Sequence, residues 1–228
     1  MKLRNLFIVA IGFCFVKVSA QDTVTRRLVS FHKLSVSDGI LVQLQKGDHE
    51  TVKFTYEGVE AGKIISEVDD GELKLKIPLG YTKNTRVRAY LTYKTLDAIS
   101  GSSKAEIDSK SLIKKDSLKI DLRSGAKIYA SFDIKDLKAT ILEGALLSAE
   151  GYADNQQIDV STSGTFSGYD LEGEDVTVKA STGGKAKINV EKELDAIATL
   201  KGYISYKGNP KIKRIEPKLG STIEKYQE

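Results

Sequence analysis

The chain has 228 residues, a single cysteine and a formal net charge of +4. This length suits one sizeable domain or a repeat array. No apolar stretch reaches the roughly 20 residues that cross a hydrocarbon core, so the sequence predicts no transmembrane segment.

Residues 1–20 are typical of an export signal. Lys2 and Arg4 form a basic start, the apolar stretch 6–16 follows, and small residues precede a cleavage position at Ala20–Gln21. We therefore expect a signal peptide of residues 1–20 and a mature protein in the periplasm, on the outer surface or secreted. A buried N-terminal helix is the alternative, but no helical period continues after the stretch.

The expected cleavage changes the chemistry that remains. Cys14 lies inside the apolar stretch, between Phe13 and Phe15, so the mature chain would contain no cysteine. That excludes disulfides, thiolate catalysis and thiolate metal binding. The signal also carries three basic residues and no acid, so its removal lowers the net charge from +4 to +1. Because the remaining basic residues are balanced by acids, we expect no nucleic-acid partner.

Residues 25–93 show the alternation of apolar and polar residues that is typical of β-strands. Asp38-Gly39 separates the first two alternating runs. Asp69-Asp70-Gly71 separates two later ones, and Asp-Gly between such runs is a strong hairpin signal. The sequence therefore predicts N-terminal strands and a β-hairpin in this region.

A turn of small residues, usually with glycine, recurs along residues 94–210. Successive turns lie 24, 19, 20, 19 and 18 residues apart, and an alternating apolar run precedes each. Alternation within a period of about 20 residues predicts stacked coils of a right-handed parallel β-helix, or β-solenoid. A β-sandwich is the alternative, and residues 211–228 are expected to form a C-terminal tail or cap. The turns are Ser100-Gly101, Ser124-Gly125, Glu143-Gly144, Ser163-Gly164, Thr182-Gly183 and Leu200-Lys201-Gly202.

Four segments occur in a characteristic order. They are 31–44 with its Gly39-Ile40 step, the acidic hairpin and strand 69–77, the strand and Ser-Gly turn 96–101, and the closing segment 206–210. This order resembles the putative auto-transporter adhesin, head GIN domain family, over about residues 25–225. The resemblance implies an exported Bacteroidetes-type protein with a parallel β-helix fold, and it implies no catalytic residues.

Residues suited to catalysis or metal binding are few. His32 and His49 are isolated, whereas a zinc site needs three or four convergent ligands. The segment 180–186 resembles a phosphate-binding loop, but Lys179 and Ala186 replace the residues that such a loop requires. We interpret it as a corner of the solenoid and expect no catalytic residue, no cofactor and no metal.

Two sets of surface residues are candidates for ligand contact. Alignment of the coils on their inward residues places Asp97 and Asp121 on adjacent coils, where paired carboxylates could serve an enzyme that acts on carbohydrates. Tyr129, Tyr152, Tyr169, Tyr203 and Tyr206 follow successive turns. Some of them, with Tyr129, Tyr169 and Tyr206 as the candidates, could form an aromatic strip that stacks on sugar rings. Tyrosine is also common in strands for purely structural reasons.

The main hypothesis from the sequence is an exported, non-enzymatic β-helix that binds a glycan or a surface protein. A carbohydrate-active lyase or hydrolase and a structural envelope protein without a specific ligand are the alternatives. The sequence leaves the ligand and the oligomeric state open.

Overall fold

The computed structural model describes residues 22–78, 80 and 85–227. The predicted signal peptide lies outside these residues. The chain folds as an all-β solenoid of about seven turns, with about 19 residues per coil, which confirms the predicted fold class. One 3-10 turn spans Ala61–Lys63, and the strands are β1 (Asp22–Arg27), β2 (Lys33–Val36), β3 (Leu41–Lys46), β4 (Thr51–Glu57), β5 (Ile65–Asp69), β6 (Glu72–Lys76), β7 (Arg86–Tyr93), β8 (Ala98–Gly101), β9 (Glu106–Ser109), β10 (Ile113–Leu122), β11 (Lys127–Ile141), β12 (Leu146–Val160), β13 (Thr165–Ala180), β14 (Lys185–Ala198), β15 (Tyr203–Lys207), β16 (Ile212–Pro217) and β17 (Thr222–Lys225).

Each coil has two runs of strand, which build two faces of the solenoid. Face A consists of β1, β4, β7, β3, β9, the first halves of β11 to β14, β15 and β17, in that order. Face B consists of β5, β6, β2, β8, most of β10, the second halves of β11 to β14, and β16. The stack of parallel strands already includes β2 and β3, so it begins before the predicted repeat region.

The alternation of side chains in β11 shows how one strand serves both faces. Ile128, Ala130, Phe132 and Ile134 point inward and are buried. The outward pair 135–136 then interrupts the alternation, and inward residues resume at 137. This interruption bends the chain from face A to face B, and stacking of the coils joins the inward rows into one core.

A tight turn returns the chain from face B to face A at eight places in the described chain. The two central residues of each turn have positive φ, as in Glu143 (54°) and Gly144 (72°), which is the type I′ geometry. Backbone hydrogen bonds also link successive turns, for example from the Gly125 amide to the Glu143 carbonyl at 3.0 Å. The turns therefore form a hydrogen-bonded column along one edge of the solenoid. Their central pairs are Asp38-Gly39, Ser103-Lys104, Ser124-Gly125, Glu143-Gly144, Thr162-Ser163, Thr182-Gly183, Leu200-Lys201 and Leu219-Gly220.

The structure corrects the position of two predicted turns. Ser100 and Gly101 belong to β8, and the turn lies at Ser103-Lys104 instead. Gly101 packs closely in the core, because a Cβ there would lie 2.9 Å from Leu122 Cδ2. Gly164 is the last residue of its turn rather than a central one. The phosphate-loop-like segment forms the turn Ser181–Gly184, as predicted for a solenoid corner.

Antiparallel strands close the N-terminal end of the core. β1 pairs with β4 and β4 with β7, while the predicted hairpin forms from β5 and β6. The Arg26 guanidinium joins the two faces, since it donates hydrogen bonds to the carbonyls of Ile64 (2.6 Å) and Ala61 (2.7 Å) and to the Ser66 hydroxyl (2.8 Å). It also lies 5.3 Å from the centroid of the Phe54 ring. This cap is built from the strands that the sequence placed before the repeats.

The C-terminal end is more open. β16 pairs in parallel with β14, and β17 with β15, so the coil pattern continues past residue 210. Ile215 faces the interior side of this last coil and is 38% exposed. The charged residues and Pro217 of β16 oppose pairing with a further strand, which is a common protection of an edge strand.

Tyr93 is only 2% exposed and places a polar hydroxyl group in the core. Its hydroxyl makes no hydrogen bond within the described chain. Burial raises the pKa of the Tyr93 phenol, and the nearby Ser109 hydroxyl acts in the opposite direction.

We expect Tyr93→Phe to raise the free energy of unfolding at pH 7 by up to about 1 kcal/mol, because it removes a buried polar group without a partner. A phenol whose pKa is raised by folding stabilises the fold fully below the unfolded pKa of about 10, and this contribution is lost as the pH rises through the folded pKa. The variant should therefore lose less stability than the wild type above about pH 10. Urea denaturation at pH 7 and pH 10.5 measures both effects, and a loss of more than about 1 kcal/mol at pH 7 would contradict the expectation.

Candidate ligand-binding surface

Asp97 and Asp121 do not form the predicted pair. Asp121 aligns with Ser100 and Thr140 on the neighbouring strands. Asp97 precedes Ala98, which aligns with Lys119, so the two carboxylates lie three residues apart along the strand direction, or about 10 Å. The error follows from the predicted turn at Gly101, because moving the turn to residues 103–104 shifts the alignment by three residues.

Each of these carboxylates is neutralised by its own lysine. The Lys115 ammonium lies 2.6 Å from Asp97, and the Lys119 ammonium lies 3.0 Å from Asp121. The described residues also contain no group of three or more His, Cys, Asp or Glu side chains that could hold a metal ion. This surface therefore offers separate, solvated ion pairs rather than a converging acid–base pair.

The three predicted tyrosines do not form one strip. Tyr206 is 7% exposed and is held in the core, because it aligns with inward-facing Ile188. Tyr129 points outward. It aligns with Ser148 on β12, and Ser148 aligns with Ser167 on β13, so Tyr129 lies two strands away from the segment that carries Tyr169. Two strands span about 10 Å, and the Tyr129 and Tyr169 rings do not meet.

Tyr169 is raised from face A by an irregularity in β13. Between the aligned pairs Ser167–Lys187 and Glu172–Asn189, β13 contains residues 168–171 and β14 contains only residue 188. Such β-bulges re-aim side chains. Gly168 allows the bulge to pack, because a Cβ there would lie 2.6 Å from two ring atoms of Phe166 in the core.

The Tyr169 side chain is fixed across the neighbouring strands. Its hydroxyl donates a 2.7 Å hydrogen bond to Oγ of Ser205 on β15. Its ring centroid lies 4.9 Å from that of Tyr226, and the two ring planes are inclined by 51°. Because tilted rings at this distance attract one another, the two tyrosines form a V-shaped aromatic wall.

Two lysines complete what we call the Tyr169 cluster, namely Tyr169, Lys187, Lys207 and Tyr226. The Lys207 ammonium lies 5.1 Å from the centroids of both tyrosine rings, and the Lys187 ammonium lies 5.5 Å from that of Tyr169. These distances are within the range of cation–π attraction. Tyr169, Lys207 and Tyr226 border a concave surface of about 580 Å³, which is also lined by Asp170, Glu172, Asn189, Gly208 and Lys225.

A second tyrosine–carboxylate contact stiffens the neighbouring part of face A. The Tyr203 hydroxyl donates a 2.6 Å hydrogen bond to the Glu224 carboxylate, linking β15 to β17. This hydrogen bond raises the pKa of the Tyr203 phenol. Together with the Tyr169–Ser205 bond, it ties the last two strands of face A to the bulged strand.

Comparison with known proteins identifies the family. The family model that describes the putative auto-transporter adhesin, head GIN domain, matches residues 30–210 of the sequence. The chain belongs to this family. As a head GIN domain protein it contains Tyr169, Lys187 and Lys207 within the matched region, whereas Tyr226 lies beyond it.

Solved structures share the fold of this head GIN domain protein. A putative adhesin from Bacteroides fragilis is 18% identical, with a TM-score of 0.81 over 91% of this chain and 98% of the other. A putative adhesin from Parabacteroides merdae is 17% identical, with a TM-score of 0.75 over 92% and 98% of the two chains. A putative lipid binding protein from Parabacteroides distasonis is 16% identical, with a TM-score of 0.68 over 92% and 98%. No curated protein matches the chain.

The described part of this head GIN domain protein contains no helix that is long and apolar enough to cross a bilayer.

Of the four residues in the Tyr169 cluster, the sequence pointed only to Tyr169 as a candidate. A usable signal was present in residues 166–173, where Gly168 and Gly173 interrupt the alternation and indicate a bulge. Nothing local in the sequence joins Tyr226 to Tyr169, because stacking of the coils brings them together.

Proposed function

We propose that this protein is an exported, non-enzymatic adhesin that binds a glycan or a protein on another surface through the Tyr169 cluster. The observation that carries the proposal is the convergence of two tyrosine rings and Lys207 on one concave part of face A, with Lys187 close to the Tyr169 ring. Amphipathic aromatic side chains provide contact area at small entropic cost, and lysines add charged hydrogen-bond donors. Membership in a family of putative adhesins supports the same function.

Export is part of the proposal. Residues 1–20 have the composition of a signal peptide, with cleavage proposed near Ala20–Gln21. Delivery outside the cytoplasm would place the solenoid where an adhesin meets its partner. The chain offers rigid strands rather than long loops for the contact, which suits a preorganised binding surface.

The arrangement of the acidic residues favours a binding function over a catalytic one. Hydrolysis of a glycosidic bond requires two carboxyl groups that flank the same bond. Asp97 and Asp121 are offset along the strands and are each paired with a lysine. A structural envelope role without a ligand remains the other candidate, and it provides no explanation for the cluster.

A glycan microarray probed with the purified protein tests the proposal. We expect retention of at least one class of glycan and a loss of about 5- to 150-fold in affinity for Tyr169→Ala, because an aromatic contact is worth about 1–3 kcal/mol. Tyr90→Ala is the matched control, since Tyr90 is 38% exposed on face A but lies on β7, between β3 and β4 and away from the cluster. It should bind like the wild type.

The same samples are incubated with the retained polysaccharides and assayed for new reducing ends and unsaturated products. Cleavage that depends on Asp97 or Asp121 would replace the proposal with the carbohydrate-active alternative. If the protein binds no glycan and no envelope protein of a neighbouring cell, the proposed adhesin function is refuted and the structural envelope role is favoured.

A further inference from the structure

The two lysines of the Tyr169 cluster have no acidic partner within the described chain. Ten ion-pair contacts connect other lysines and one arginine to carboxylates on the surface, and none involves Lys187, Lys207 or Lys225. Lys207 instead lies equally far from the two tyrosine rings, at 5.1 Å from each centroid. An ammonium that is held against aromatic faces and lacks a counter-ion is available to an anionic ligand.

The geometry points to an anionic glycan, a sugar that bears an ionised carboxylate or sulfate, as the ligand of the Tyr169 cluster. This inference rests on the proposed binding function and specifies the chemical class of its ligand. The anion would lie at Lys207, which lines the concave surface, and the sugar ring would lie against the ring of Tyr226, which is 41% exposed.

The surrounding polar residues fit the rest of a sugar. Asp170 and Glu172 are hydrogen-bond acceptors for hydroxyl groups, and the Asn189 amide both donates and accepts. A simple anion such as phosphate would use the lysines but neither the aromatic wall nor these groups. A neutral sugar would leave the Lys207 ammonium without an anionic partner.

The cluster is rigid, and this rigidity favours a role in ligand binding. Tyr169 is fixed by its hydrogen bond to Ser205, which is only 1% exposed. Tyr226 is positioned by the 2.8 Å hydrogen bond from its amide to the Tyr206 carbonyl. The ring of Tyr169 and the backbone of Tyr226 are therefore held before any ligand arrives, which lowers the entropic cost of binding.

Calorimetric titration of the purified full chain with oligogalacturonate tests the inference, and the methyl-esterified oligomer of equal length serves as the neutral control. We expect the acidic oligomer to bind at least tenfold more tightly than its ester. Lys207→Gln should weaken binding of the acidic oligomer by at least tenfold, and Lys207→Arg should restore most of it. Raising the salt concentration from 50 to 500 mM should weaken binding, since exposed charges are screened.

Lys138→Gln is the matched control, because Lys138 is an exposed lysine on face B, and it should bind like the wild type. Dextran sulfate and dextran form a second pair of probes. Binding of dextran sulfate alone, with the same dependence on Lys207, supports the inference with sulfate as the anion.

Two outcomes separate the inference from the proposed function. If the neutral ester binds as tightly as the acid, and Tyr169→Ala abolishes binding while Lys207→Gln does not, the anionic ligand is refuted and the Tyr169 cluster remains a binding site. If Tyr169→Ala and Lys207→Gln both leave binding of every probe unchanged, the proposed site itself is refuted. Matching thermal unfolding curves of all variants ensure that altered binding does not come from a folding defect.

Discussion

Replacement of Phe132 by alanine is expected to lower the free energy of unfolding by about 3–5 kcal/mol, which is among the largest effects that a single side chain can have here. Phe132 has no exposed surface and is one of the largest side chains in the core. It lies in a middle coil, where the strands on both sides are already paired and cannot move in to fill the cavity. Urea denaturation followed by circular dichroism measures the change.

Tyr152→Ala provides the comparison for this substitution. Tyr152 is an aromatic residue on the adjacent strand, where it aligns with Asp133, but it points outward and is 59% exposed. Its removal should cost no more than about 0.5 kcal/mol. A similar loss for both variants would show that burial does not determine stability along this strand.

Gly151→Ala is expected to lower the free energy of unfolding by about 2–4 kcal/mol, although it adds only one methyl group. Gly151 has φ of +100°, and a Cβ there would fall against the carbonyl oxygen of Phe132 on the neighbouring strand. Backbone strain and a backbone collision therefore act together, and neither can be relieved by a change of side-chain rotamer. The melting temperature and the urea midpoint should both fall.

Two other glycines separate the contributions to this cost. Gly144 has φ of +72° but nothing within 4 Å of an added Cβ, so Gly144→Ala measures the conformational strain alone, at about 1 kcal/mol. Gly62 has neither a positive φ nor a close neighbour, and Gly62→Ala should be neutral. If Gly151→Ala cost no more than Gly144→Ala, the close approach of the two strands would be disproved.

The periodic features of the fold could be predicted from the sequence. Alternation within a repeat of about 20 residues depends on local chain geometry, and it correctly indicated coils, inward rows and the hairpin around Asp70-Gly71. The turns at Ser124-Gly125, Glu143-Gly144 and Thr182-Gly183 were also found, because glycine marks the positive φ of a type I′ turn. Ser103-Lys104 was missed because it adopts the same turn without glycine.

The candidate site could not be predicted in the same way. A misplaced turn at Gly101 shifted one coil by three residues and produced the false pair of Asp97 and Asp121. The Tyr169 cluster depends on a bulge and on contacts between residues up to 57 positions apart, such as Tyr169 and Tyr226. Composition and spacing do not encode such contacts, because they arise only when coils of slightly unequal length are stacked.

The arrangement of the strands has a mechanical consequence. β1 and β17 lie at opposite edges of face A, and the intervening strands are joined in sequence from one edge to the other. A pull on the two ends would therefore load the coils in series, and the edge strands that pair on one side only, β1 at one end and β16 and β17 at the other, would detach first. Each released coil of about 19 residues would lengthen the chain by about 65 Å. A protein that holds two surfaces together could in this way extend stepwise under tension while its remaining coils stay folded.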